Sequence, residues 1–276
     1  MRNRSQGWKH AKISGHTNEK SAVKNILENP DAFSLRLKPN SHLGDIIIAK
    51  EGGLSEKNVP SVLDNSTKSK SDIYLEWSSN EQTRISVKKS LNGQAFLIKP
   101  NRFIDGFQHH YGHIIPAEVK EAIGLFFGGH PNINKILTDY KLKKTQFRAY
   151  EKNKERLVAE TLNEFNSNLS GALLNYFREN ASNVFDFVFS RGLASNQSDW
   201  ATHLWYINLI GENSTDELFN IENLKAKIES NKNNLVLFGT RGGGTTIKLP
   251  FGFVQWHQNS MQFHHSYEQI KSLSQA

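Results

Sequence analysis

Asp72, Ser86 and Lys88 are the residues of this sequence whose types and spacing point most directly to shared chemistry, the serine lying fourteen residues after the aspartate. A carboxylate can hold a hard divalent cation, and a neighbouring ammonium can organise water and offset anionic charge. Hydrolysis of a phosphodiester needs both. In Ile85-Ser86-Val87-Lys88 the apolar residues alternate with the polar ones, so on a strand Ser86 and Lys88 share one face. Ile73 and Leu75 alternate in the same way against Asp72, Tyr74 and Glu76, and Ser78-Ser79-Asn80-Glu81 between the runs suits a turn. Antiparallel pairing would then bring Asp72 to Lys88. Solvated hairpins produce the same pattern, because lysines snorkel and aspartates often start strands.

The elements around this hairpin can be read coarsely. Thr17-Asn18-Glu19 followed by a run to Leu27 predicts a capped amphipathic helix that stops before Pro30. Its early Glu19 can reach a neighbouring site, or simply complement the helix dipole. Residues 43–50 fit a buried strand or a short helix, Gln94 to Ile98 reads as a strand, and helices are expected at 117–127, at 132–140 and along one long run at 151–179. The segments 184–189 and 200–210 are apolar without a decisive period. The last third changes character, with successive strands at 235–238, 245–248, 251–257 and 261–265 separated by glycine, proline and asparagine.

Composition narrows the partners. A formal charge of +7 favours polyanions, nucleic acid first, although solvated basic helices such as the run 141–156 need no ligand. No cysteine is present, so disulfides and thiolate metal sites are excluded and any metal must be held by histidine, carboxylate or carbonyl. No apolar run reaches membrane-spanning length, and the expectation is a soluble, cytoplasmic protein with no membrane partner. At 276 residues the chain is expected to form a single catalytic and recognition unit. Its approximate subregions are 1–115, 116–230 and 231–276.

Taken together, Asn18-Glu19-Lys20, Lys70-Ser71-Asp72-Ile73, Ile85-Ser86-Val87-Lys88 and Met261-Gln262-Phe263-His264 resemble the small type II restriction endonucleases of the PD-(D/E)-x-K superfamily. Ser86 stands where the usual second acid would be. The likeness is to the group that cuts short GC-rich palindromes and carries a neutral residue at that position. It implies an α/β fold with a restriction-endonuclease-like core, a mixed central sheet flanked by helices, followed by a helical middle segment and a β-rich C-terminal portion. It implies magnesium as cofactor, with Asp72, Glu19 and the Val87 carbonyl as ligands, and Asp72, Ser86 and Lys88 as the catalytic set. Double-stranded DNA is the implied partner, with a possible homodimer and a cognate DNA methyltransferase as a functional partner in a bacterial cell. Lys89 would replace Lys88 only if the strand register slipped by one.

Candidate DNA contacts follow from residue type and from the same resemblance. Gln94, Asn101 and Arg102 lie just after the hairpin, and glutamine and arginine can pair with adenine and guanine edges. Arg241 precedes Gly242-Gly243-Gly244, where main-chain N–H groups could approach phosphate, and Thr245 and Lys248 follow it. Gln258, Ser260, Gln262 and His264 complete the set, the last two falling on one face of a strand. Three other readings compete: a structure-specific or repair nuclease with the same core, a catalytically inactive DNA-binding protein, and a histidine-metal hydrolase. The last would be centred on His109 and His113, which would share a helix face if one helix held both.

Overall fold

The computed structural model describes residues 17–37, 44–52, 58–63, 65–139, 156–208, 215–231, 235–241 and 244–275. The chain divides into two compact units, Met1–Leu91 with Phe189–Leu224, and Asn92–Val188 with Lys225–Ala276. Each unit is therefore built from separated stretches of sequence, and the division cuts across the three contiguous subregions read above.

The first unit opens with α1 (residues 17–28) and α2 (Pro30–Leu37), the latter started by a proline whose missing N–H costs nothing at a helix N-terminus. Its strands are β1 (Ile46–Glu51), the short pair β2 (Val59–Pro60) and β3 (Ser66–Thr67), then β4 (Ile73–Trp77) and β5 (Gln82–Lys88). The later stretch adds β7 (His203–Ile207) and β8 (Asp216–Asn220). The main sheet runs β1-β4-β5-β7-β8, and it is mixed, because β5 and β7 are parallel while every other pair is antiparallel. The ambiguous segment 43–50 resolves as β1, and part of 200–210 as β7. Ala22 and Ile26 of α1 and Phe33 and Leu37 of α2 pack on Ile73, Leu75, Trp77, Ile85, Trp205 and Ile207. One sheet face is thereby committed to the core, which leaves Ser86 and Lys88 on the other.

In the second unit β6 (Asn92–Ile98) leads into α3 (Pro100–Tyr111), α4 (Ala117–Phe127) and α5 (Ile133–Asp139). The long helix expected at 151–179 is instead α6 (Ala159–Phe165) and α7 (Ser167–Glu179), and its start, residues 151–155, lies outside the described residues, as does most of the basic run 141–156. Asn166 causes the break. Its backbone is extended, and its side chain accepts hydrogen bonds from the N–H groups of Asn168 and Leu169, starting a new helix. After α8 (Ala181–Asp186) a π turn at Phe187–Arg191 leads into the first unit's later stretch, which holds a 3-10 turn at Gln197–Asp199. Helix α9 (Ile221–Ser230) precedes β9 (Leu237–Arg241), β10 (Gly244–Leu249), β11 (Gly252–Trp256) and β12 (Met261–Ser266), and α10 (Tyr267–Gln275) closes the chain. The C-terminal strands form an antiparallel sheet in the order β6-β12-β11-β10-β9. The strand expected after the hairpin thus pairs with β12, through Met261↔Ile98 and Gln262↔Leu97, and not with β5. Phe103, Phe126 and Phe185 of the helices meet Phe263, Phe238 and Phe251 on one face of this sheet.

Candidate active site

The pairing Ile73↔Ile85 sets Asp72 beside Ser86 at one end of the first unit's sheet. Asp72 is locked there by its main chain, since its N–H donates to Ile85 O at 2.8 Å and its carbonyl accepts from Gly52 N–H at 2.8 Å. The preceding residues are equally fixed. Buried Ser71 donates from Oγ to Ile73 O at 2.9 Å and from its N–H to Ser69 Oγ at 3.0 Å. These four hydrogen bonds fix the main chain from which the Asp72 carboxylate projects.

The side chains then form a chain of contacts. Val87 N–H donates to Asp72 Oδ2 at 2.7 Å, Ser86 Oγ stands 3.4 Å from the same oxygen, and Lys88 Nζ donates to Ser86 Oγ at 2.9 Å. Lys88 Nζ also lies 3.4 Å from Val87 O, so the Val87 side chain packs on the core while its main chain faces the site. Lys88 is the lysine that reaches this row, and Lys89 falls beyond the end of β5.

Three more charged residues converge on the same sheet end. Lys88 pairs with Tyr206, and buried Asn18 donates from Nδ2 to the carbonyl of the next residue, Ile207, at 2.9 Å. That bond pins the start of α1, and with it Glu19, at the carboxyl ends of the parallel strands β5 and β7. Ligands of α/β sheets gather at such strand ends. Glu51, paired with Ile73, closes the other side. Lys70 approaches from the segment before β4, its aliphatic stem lying over Gly192. A Cβ at position 192 would stand 2.8 Å from Lys70 Cε, and φ of +55° there suits glycine. Neither Glu51 nor Lys70 was read as functional from the sequence. Lys70 lies two residues before Asp72, whereas Glu51 carries no local signal.

The electrostatics are those of charges crowded away from water. Burial raises the Asp72 carboxyl above its usual range, opposed by Lys88, the Val87 N–H, Lys70 and Ser86. Burial also lowers the Lys88 ammonium, against Asp72 and Glu19, and lowers Lys70 further. Glu19 is pushed up to about 7, by burial first and by Asp72 and Glu51 after it, with Lys88 opposing. Opposed shifts on a carboxylate, a second carboxylate and two lysines at one strand end are a pattern associated with reactive sites.

A stability prediction follows from Glu19. Its folded carboxyl holds a proton more tightly than the unfolded chain does, so without metal the fold loses stability as pH rises from the ordinary carboxylate range through about 7. Above that range Glu19→Gln should be more stable than the unaltered protein in EDTA, by about 1–2 kcal/mol once solvent screening is allowed for. At pH 4 the two should melt together. Thermal unfolding at pH 4 and pH 8 checks this, and a gain at acid pH alone would refute the assignment.

No protein-family model matches this sequence, and no curated protein matches it. Among solved structures, the chain is similar to the restriction endonuclease MspI in complex with its cognate DNA. That match has a TM-score of 0.42 and 14% sequence identity, and covers 87% of this chain and 79% of that one. A likeness at that level decides nothing about chemistry. The residues at the strand ends must carry the assignment.

The candidate DNA contacts all fall in the second unit. Asn101 and Arg102 are exposed on the first turn of α3. Gln94, Gln262 and His264 share the face of the second sheet opposite its buried phenylalanines, and Lys248 is exposed on that face too. Thr245 falls on the other side of β10, with Ile247 and Leu249. Gln258 is exposed in the β11–β12 turn with φ of +49°, and its carbonyl accepts from Lys99 Nζ at 3.1 Å. Ser260 is buried, its N–H bonded to the His257 carbonyl. Arg241 ends β9, and Gly242 and Gly243 lie outside the described residues.

The histidine cluster does not form a metal site. Helix α3 ends at Tyr111 with Gly112 in a left-handed cap, so His113 leaves the helix and its Nε2 meets Tyr176 Oη at 3.1 Å. His109 is exposed on the helix and no longer shares a face with it. Among the described residues no three histidine, aspartate or glutamate side chains cluster as metal ligands. Among them, too, no helix is long and apolar enough to cross a membrane.

Proposed function

We propose that this chain is a magnesium-dependent deoxyribonuclease of the type II restriction class, hydrolysing DNA phosphodiester bonds at a short specific duplex sequence. The observation that carries the reading is the string Val87 N–H, Asp72 Oδ2, Ser86 Oγ and Lys88 Nζ at the end of a mixed sheet, with Glu19 beside it. The donor set is made of oxygens: the Asp72 carboxylate, the Ser86 hydroxyl, the Val87 carbonyl and Glu19. Such a set fits magnesium, which prefers oxygen ligands, keeps several waters and needs few protein carboxylates. When bound there, the ion supplies Lewis-acid polarisation of a phosphoryl oxygen and a more acidic water.

The chain's own residues divide the remaining work. The Val87 N–H fixes the Asp72 carboxylate so that it does not rotate away when DNA arrives. Lys88, held by Ser86, orients the attacking water and offsets charge that builds on the phosphoryl oxygens. Water oxygen bonds to phosphorus as the bond to the 3′ oxygen breaks. A proton passes to that oxygen, leaving a 5′ phosphate and a 3′ hydroxyl. Ser86 contributes no charge, so Glu19, ionised above about pH 7, supplies the second negative group that its position otherwise lacks. Sequence-specific cutting of this kind also calls for a methyltransferase that protects the same sequence in the cell's own DNA.

The decisive experiment is digestion of phage DNA by the purified protein in magnesium, with sequencing of the fragment ends. Discrete fragments sharing one terminal sequence and bearing 5′ phosphates are expected, and EDTA should abolish them. Random nicking would replace the restriction reading with the repair-nuclease one. DNA left whole in both magnesium and manganese would remove the enzymatic reading altogether.

A further inference from the structure

The second unit's sheet turns one face to its helices and leaves the other open, and three glutamines cross that open face in a continuous hydrogen-bonded row. Gln255 Nε2 donates to Gln262 Oε1 at 2.8 Å, and Gln262 Nε2 donates to Gln94 Oε1 at 2.6 Å. Gln255 Nε2 also stands 3.3 Å from His264 Nε2, which accepts when the ring proton is on Nδ1. The His264 ring in turn lies flat on Phe253, with centroids 4.4 Å apart and planes 8° from parallel. The pairings Gln255↔Gln262 and Phe253↔His264, with His264↔Gln94 beside a register shift in β6–β12, set these side chains on one face.

An amide has two donor hydrogens and an acceptor oxygen, so each bond in the row constrains the next. Gln255 commits both amide hydrogens, which leaves its carbonyl as the outward group at one end. Gln94, exposed at the other end, commits only its carbonyl and offers its NH2. The row therefore has a fixed polarity, donor at β6 and acceptor at β11. Strands lie about 4.8 Å apart, so three of them span about 10 Å, the length of about three base-pair steps of 3.4 Å and less than the width of the major groove.

The charge on this surface selects the partner. None of the five strands contains an aspartate or glutamate, while Lys248 supplies a cation. Lys248 is exposed on the open face, its stem lying over Gly239. A polar face without negative charge, lined by amides of fixed direction, fits the edges of bases in duplex DNA and disfavours acidic proteins.

We propose that Gln94, Gln262 and Gln255 act as one base-reading unit in the major groove, with Gln255 and its His264 contact setting the polarity of the whole row. The inference rests on the DNA-directed reading above and adds Gln255, which residue type alone did not single out, as a specificity-determining residue. Because Gln262 bonds to both neighbours, its loss alters what both ends present. Three independent contacts would not behave in that way.

The test is selection of bound duplexes from a randomised pool by the full chain, with calcium replacing magnesium so that DNA is held uncut. The unaltered protein should enrich one short sequence. Gln94→Met and Gln255→Met should each relax preference at separate positions within it, by about tenfold. Gln262→Met should relax both sets together. Melting temperatures show whether each variant is folded, and the exposed Gln94→Met keeps the test decisive if the central substitution is not tolerated. Variants that select the original sequence with undiminished preference would overturn the proposal, as would an unaltered protein that enriches nothing. Cleavage of phage DNA is scored separately. Cutting with unchanged selection discards the amide row and keeps the nuclease, whereas selection without cutting does the reverse.

Discussion

Asp72→Ala and Lys88→Ala should each lower the rate of plasmid cleavage by about 10³-fold or more, equivalent to about 4 kcal/mol in the barrier. The two losses should differ in kind. Removing Asp72 takes away the fixed carboxylate that receives the Val87 N–H and the Ser86 hydroxyl, so magnesium affinity should fall and excess metal should restore part of the rate. Removing Lys88 takes away the group that orients water and balances phosphate charge, and added metal should restore nothing. Neither change should unfold the protein, because neither side chain belongs to the apolar cluster beneath the sheet. Cleavage measured across a magnesium titration, with melting curves as control, separates these outcomes. A Lys88→Ala protein that cuts at the original rate would end the mechanism proposed here.

Gly252→Ala should destabilise the protein by about 3 kcal/mol or more, a fall of about 6–12 °C in melting temperature. Gly252 begins β11 with φ of +152°, a conformation that side-chain-bearing residues rarely adopt. A Cβ there would collide with the carbonyl oxygen of His264, and would lie 2.9 Å from its carbonyl carbon and 3.1 Å from Cα of His265. All three are main-chain atoms of the paired strand β12, so no side-chain rotation relieves the overlap. The strands must part, and the register that places Gln255 against Gln262 goes with them. Base preference in the duplex selection should therefore weaken in any Gly252→Ala protein that remains folded. Unchanged melting, within about 2 °C, would show that β11 and β12 can separate at no cost, contrary to their geometry.

Local alternation was enough to read the hairpin. Ile73, Leu75, Ile85 and Val87 mark a buried face, so the positions of Asp72, Ser86 and Lys88 follow from period two, and the structure brings the three side chains together. The four C-terminal strands were legible for the same reason. Helices were read less well where a polar side chain competes with the helix backbone: Asn166 splits the run after 151 by capping α7, and Gly112 ends α3 before His113. An apolar period persists through such breaks, and so it conceals them.

The sequence by itself determined which residues carry charge and which face of each strand is buried, because both depend on side-chain type and on neighbours a few positions away. Only the tertiary structure decided that Glu51, Lys70, Gly192 and the start of α1 meet Asp72 at one sheet end. Nor could spacing show that β6 leaves the hairpin to pair with β12, Gln262 standing opposite Leu97. The parallel pairing of β5 with β7, Ile85 opposite His203, joins segments more than a hundred residues apart. Such contacts form when separated apolar faces find a common core, and no local pattern records which faces will meet.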